Sequence, residues 1–247
     1  MAVEYQSFDV ADYRMDYQNP HVSVESIEQE TAIVDEALRL LEQQGILPHI
    51  QYDHDKLLAH RKAVEEHFEI PWTAISHRMQ RLLYAINAII QPANMIAAGV
   101  FCGNTFISNA GAGVGPGACY TAMNLVGLEI KPEEAERAER NVRRIDPTGV
   151  ARVIAADAVD WVAAFPHEIQ VLYLDADGDA ARGKGIYYDI LQAAWDRLPD
   201  GALVLAHNSV NCAERLTNYL AFVRDEANMR ASVNVNFDGE GLEVSMR

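Results

Sequence analysis

The residues best able to do chemistry stand just after short apolar runs. The turn Gly99-Val-Phe-Cys-Gly103 follows NMIAA, Glu129 comes near the end of MNLVGLEI, Asp157 closes ARVIAAD, Asp175 closes IQVLYLD, and His207 with Asn208 closes ALVLAHN. Two glycines four apart let a backbone approach a ligand and take an awkward turn, although a plain strand-to-helix turn asks for no more. Glu129, about 30 residues past Gly99, can accept both hydroxyls of a ribose. Asp157 could take an adenine amino group or cap a helix starting at Ala158, and the two roles are compatible. His207 is a base or hydrogen-bond partner near neutral pH. The pattern lacks the G-x-G-x-x-G of a dinucleotide site. The glycine-dense Gly111–Gly117 segment lacks the Lys-Ser/Thr of a triphosphate loop and reads as a flexible connection.

These positions need a frame that brings strand ends together. From residue 94 onward, short apolar runs alternate with amphipathic helices, and Pro132 sits just inside the start of the strongest helix, 132–144. Alternation of this kind predicts a parallel sheet with ligands beyond its carboxyl edge. The end, MRASVNVNFDGEGLEVSMR, predicts a hairpin about DGEG. Upstream, an irregular tyrosine-rich arm (Tyr5, Tyr13, Tyr17) leads to helices over 23–44, 53–68 and 73–90, with Ser26 and Gln29 as a capping box and Gly45 as a C-terminal cap. A final helix is expected over 213–227. The uneven spacing of His54, His60 and His67 among polar neighbours suits a solvated face. The division expected is an arm and helical lid over 1–71 and a catalytic domain over 72–247.

Composition narrows the function. A net charge of −16 repels phosphate backbones and anionic lipids, which argues against nucleic acid and membrane partners. Cys102, Cys119 and Cys212 form neither a zinc pattern nor a disulfide framework, and the N-terminus has no signal-peptide core, so the expectation is cytoplasmic. No run approaches a membrane span.

The order GVFCGNT, VGLEIKPEEAERAERNV, AADAVDWV, VLYLDAD, LPDGALVLAHN resembles the class I S-adenosylmethionine (SAM)-dependent methyltransferases, closest to the catechol and caffeoyl-CoA type of small-molecule O-methyltransferase. The resemblance implies a Rossmann-like, mostly parallel sheet with a C-terminal antiparallel hairpin. It implies Gly99, Phe101 and Gly103 along the methionine part of SAM, Glu129 at the ribose, Asp157 and Ala158 at the adenine, and Asp175 beside the reacting end. It also implies a divalent cation held by Asp175 and an Asp-Asn pair after the next strand. Here that pair is His207-Asn208, a donor set softer than magnesium prefers, so Asp175, His207 and Asn208 are either a metal site or a metal-free polar shell. The lysine expected three residues after Asp175 is Gly178, and Lys184, in a glycine-flanked RGKG, reads as solvated. An acidic residue often found at the end of the first strand is Ala97.

With both usual activating devices altered, three readings stand. The first is methyl transfer to the oxygen or nitrogen of a small molecule, with Asp175, His207 and Asn208 at the reaction centre. The second is a SAM-consuming cyclase that closes azetidine-2-carboxylate and releases methylthioadenosine. The third is a non-catalytic SAM-binding protein. Tyr13, Tyr17 and Trp72 are candidates to cover the pocket. Dimers are common for folds that the chain resembles, and the N-terminal helices are where a homodimer could form.

Overall fold

The computed structural model describes residues 3–73 and 75–247. Among the described residues, eight strands form one sheet: β1 Val3–Gln6, β2 Asn94–Ala98, β3 Asn124–Glu129, β4 Ala151–Ala155, β5 Val171–Leu174, β6 Leu203–His207, β7 Ala231–Asn236 and β8 Leu242–Met246. Their order is β1-β7-β8-β6-β5-β2-β3-β4. Only β8 runs antiparallel to its neighbours, β6 and β7. The chain builds β2, β3 and β4 outward, then returns to lay β5 and β6 on the other side of β2. The reversal between β2 and β5 is the topological switch point, where the carboxyl ends of the strands part to form a crevice.

Helices cover both faces, which is why β2 and β5 are buried at every residue and read as unbroken apolar runs. Along β2, Met95 and Ala97 face one cluster, and Ile96 and Ala98 the other, as the two-residue period of a strand requires. The first cluster also takes in α1 (Ile27–Gln43), α2 (His54–His67), α3 (His77–Ile90), α4 (Asn104–Ala110) and α5 (Pro132–Ile145). The second takes in α6 (Ala158–Ala164), α7 (Ile186–Ala194) and α8 (Thr217–Val223). Helix α5 carries Glu133 and Glu134 in its first turn and Arg143 and Arg144 in its last, both matched to the helix dipole. Ser26 accepts from the Gln29 amide, and Gly45 follows the end of α1 at φ +72°.

The polar N-terminal third is held by buried ion pairs. Glu30 lies between Arg61 and Arg81 at 2.7 and 2.6 Å. Arg78 lies between Asp9 and Glu25 at 2.7 and 2.6 Å, under the Tyr13 ring at 4.1 Å. Such pairs fix a geometry more than they add stability.

Several expectations change here. The start of the arm is ordered: β1 pairs with β7 in parallel, and the Tyr5 hydroxyl donates to the Ile33 carbonyl at 3.0 Å. Helix α3 begins at His77, where Ser76 caps it, and α8 begins only at Thr217 because residues 208–216 turn around the β7–β8 loop. His54 and His67 are exposed as expected, but His60 is buried. The Gly111–Gly117 segment is its seat. A Cβ on Gly111 would meet the His60 ring at 2.3 Å, and the Tyr84 hydroxyl donates to the Gly117 carbonyl at 2.6 Å. Those glycines serve close packing, not flexibility.

Candidate functional site

A cavity of about 720 Å³ opens at the carboxyl edge of the sheet. Gly99, Phe101, Glu129, Asp157, Ala158, Asp175, His207 and Asn208 all line it. Gly103 does not. It stands behind the wall, with α5 so close that a Cβ there would meet the Ala138 Cβ at 3.2 Å, and it starts α4 at φ +91°.

One half of the cavity is built from backbone turns. Gly99 takes φ +79°, and a Cβ on it would fall 2.4 Å from the backbone of Ala176. The turn after β2 and the loop after β5 therefore touch main chain to main chain, which only glycine permits. Phe101 also has positive φ, at 48°. The Glu129 carboxylate accepts its amide at 2.9 Å and that of Lys131 at 3.1 Å, so it braces the turn while facing the cavity. Asn141 of α5 donates to the Cys102 carbonyl at 2.9 Å, tying the same turn from behind. Asp157 caps α6, one oxygen accepting from Val159 and Asp160 at 2.8 and 3.3 Å, while the residue still lines the cavity. Trp72 packs against Phe101 with ring centres 5.0 Å apart and planes tilted by 36°, and remains 46% exposed at the rim.

The other half is built from side-chain charges. Lys184 is only 8% exposed. The RGKG sequence folds back as a 3-10 turn, and its ammonium donates to Asp175 Oδ1 at 2.8 Å and to the Asp175 carbonyl at 3.1 Å. The solvated lysine expected there is thus a buried ion-pair partner. Asp175 Oδ2 faces His207 Nδ1 at 3.4 Å, and His207 Nε2 faces Glu240 Oε2 at 3.6 Å. His207 is 2% exposed, and neither ring nitrogen has a hydrogen-bond partner in good geometry. Asn208, at φ +62°, donates its amide to Glu240 Oε2 at 3.1 Å.

Burial alone would push the Asp175 carboxyl up. Lys184 first, then His207, outweigh that and hold it down at about 2. Burial pulls the His207 imidazole down, but Asp175 and then Glu240 reverse this and raise it. Burial raises Glu240, against the opposing pull of His207.

Glu240 went unrecognised within its DGEG turn. The signal for it is the hairpin register: His207 pairs with Leu242, so the turn folds over the end of β6. Through Glu240 the arm reaches this half as well, because the Tyr17 hydroxyl donates to Glu240 Oε1 at 3.2 Å. Neither Tyr13, which is buried over Arg78, nor Tyr17 lines the cavity.

A divalent cation does not fit these donors. Asp175 Oδ1 is taken by an ammonium and Oδ2 faces an imidazole. Among the described residues, no three His, Cys, Asp or Glu side chains are grouped to hold a metal.

Comparison with known proteins agrees with this frame. Residues 96–209 match the family model of a methyltransferase domain. The cofactor-bound structure of Rv0187 from MTB superposes with a TM-score of 0.61 at 20% identity, covering 78% of this chain and 90% of that one. An O-methyltransferase from Bacillus cereus, solved in complex with SAH, gives 0.60 at 16% identity, covering 90% and 100%. The SAH-bound methyltransferase PaMTH1 from Podospora anserina gives 0.60 at 14%, covering 92% and 99%. No curated protein matches the chain in sequence. At these identities the solved structures speak for the fold. With the domain match, the conclusion is that residues 96–209 are similar to a methyltransferase domain and that the chain has a Rossmann-like methyltransferase fold.

Proposed function

We propose that this protein transfers the methyl group of SAM to a small-molecule acceptor bound in the cavity at the strand tips. The observation that carries this reading is the convergence of the Gly99 turn, Glu129, Asp157 and Asp175 on one 720 Å³ space at the switch point, within a matched methyltransferase domain. SAM supplies an electrophilic methyl on a sulfonium. The chain has to bind it, exclude water and hold a nucleophile within about 3 to 3.5 Å, in line with the methyl.

In this reading Glu129 accepts the ribose hydroxyls. An ionised carboxylate has about four lone-pair sites, so it can do so while keeping the Phe101 and Lys131 amides. Asp157 and Ala158 receive the adenine. Gly99 and Phe101 follow the methionine part, and Gly103 fixes α4 from behind. Asp175, kept ionised by Lys184, puts negative charge beside the sulfonium. His207 receives the proton that the acceptor loses, with Asp175 and Glu240 on either side to stabilise the imidazolium. Asn208 holds Glu240 in place. The arm and helices of residues 1–71 serve as a cap on the domain 72–247, with Tyr17 and Trp72 at the edge of the site. The net charge of −16 favours a small acceptor over a polyanionic one.

The test is incubation of purified protein with SAM, alone and with a panel of hydroxyl and amine acceptors. S-adenosylhomocysteine formed only when an acceptor is present is the expected outcome. Methylthioadenosine released from SAM alone would replace methyl transfer with ring closure, and binding without turnover across the panel would leave a SAM-binding protein. No specific observation favours either.

A further inference from the structure

We propose that the Lys184 ammonium is the resident cation of the reaction centre, occupying the post beside Asp175 that a divalent metal would otherwise take. The proposal deepens the methyltransferase reading and rests on it for the identity of the cavity. Its support is a turn built to deliver this one side chain. Gly183 has φ +49°, and a Cβ on it would meet the Arg215 guanidinium at 2.5 Å. Its carbonyl accepts the Gly178 amide at 3.0 Å, locking the RGKG turn onto the loop that carries Asp175. Gly178 has no room to spare either, because a Cβ there would lie 3.0 Å from that of Arg182. Two glycines thus let residues 175–185 close on themselves, and the closure brings Lys184 Nζ to 2.8 Å from Asp175 Oδ1, 3.1 Å from the Asp175 carbonyl and 3.6 Å from Asp177 Oδ2.

An ammonium has three donors and no acceptor. Two point at Asp175, and the residue lines the cavity, so the third is available to a ligand or to Asp177. A magnesium-sized ion would need near-ideal octahedral oxygen donors at about 2.0 to 2.1 Å. At Asp175 it would meet an ammonium on one oxygen and the His207 ring on the other. A dication brought to Asp175 would also be repelled by the ammonium already paired with it. Lys184 is a positioning residue here. It keeps Asp175 oriented and charge-balanced with a covalently attached cation, so the site needs no metal to be assembled.

Electron paramagnetic resonance of Mn²⁺ titrated into the protein, with and without SAH, tests this without reference to turnover. The wild-type protein should bind no stoichiometric Mn²⁺, and its SAH affinity by calorimetry should not change with EDTA. Lys184→Ala vacates the carboxylate and should bind Mn²⁺ at least about tenfold more tightly than wild type, whereas Lys184→Arg, which keeps the charge, should not. Lost stability alone would give no such gain. Stoichiometric Mn²⁺ on the wild type, or SAH binding abolished by EDTA, overturns the proposal. So does a folded Lys184→Ala that gains no Mn²⁺ affinity. If Lys184→Ala does not fold, the wild-type titration and the EDTA comparison decide. Failure of SAH to bind under any condition would instead strike at the methyltransferase reading.

Discussion

The two halves of the cavity are made in different ways. Around Gly99, Glu129 and Asp157, the chain positions cavity-lining groups with backbone: positive-φ turns, a carboxylate holding two amides, a helix cap. Around Asp175 and His207 it uses a row of alternating charges, Lys184, Asp175, His207 and Glu240, drawn from two loops and a strand end. Backbone devices tolerate little substitution, because each depends on a conformation or a space that one residue type satisfies. Charge rows can exchange members provided the signs still alternate. The first half holds the residue types that the resemblance leads one to expect, and the second holds His207 and Gly178, where other residues were expected.

The comparison breaks most sharply at Gly99. Gly99→Ala places a Cβ 2.4 Å from the Ala176 backbone at φ +79°, and overpacking plus backbone strain should cost roughly 2 to 6 kcal/mol. Denaturant unfolding should show the loss, and calorimetry should show no SAM binding. A variant of wild-type stability that still binds SAM would mean that the two loops do not touch.

On the charged side, His207→Gln should lower kcat by about 10² to 10⁴ as expected for loss of a general base, with SAM affinity little altered. Equal loss in both would make His207 a binding residue only.

The backbone half also rests on the helices beneath it at His60. Burial, helped by the neighbouring Arg61 charge, lowers the His60 imidazole from 6.5 to about 4. The ring is neutral when folded and takes up a proton when unfolded. Its contribution is therefore complete above pH 6.5 and is lost as pH falls toward 4, by about 3 kcal/mol at most. Unfolding free energies measured across that range should slope downward in wild type and less so in His60→Gln. Identical slopes would show that the ring is not held neutral.

The mildest change is Glu129→Ala. It should weaken SAM binding by about 1.5 to 3 kcal/mol, the scale of hydrogen bonds to a charged group, while Asp175 keeps its Lys184 partner.

The two halves also differ in how far they could be read from the chain. The strand ends were legible because each apolar run is bounded by a helix signal, such as Pro132 or the Asp157 cap, and because the cavity-lining residues follow strands within one turn. Lys184 was not, since a lysine between glycines looks solvated until the loop closes over it. Glu240 was not, since its partner His207 lies 33 positions away and only the hairpin register brings them together. His60 failed for a similar reason: its sequence neighbours are polar, and the surface that buries it is the glycine-dense segment 111–117. Local signals predict what local structure decides. Side chains whose setting depends on long-range packing escape them.

The claim beneath all of this is that one pocket holds an adenosyl sulfonium across both halves. Calorimetric titration of the wild-type protein with SAM and with SAH tests it most directly. One saturable site for each ligand, with SAM and SAH competing, is the predicted result. Absence of saturable binding by either, in protein shown to be folded, would contradict it.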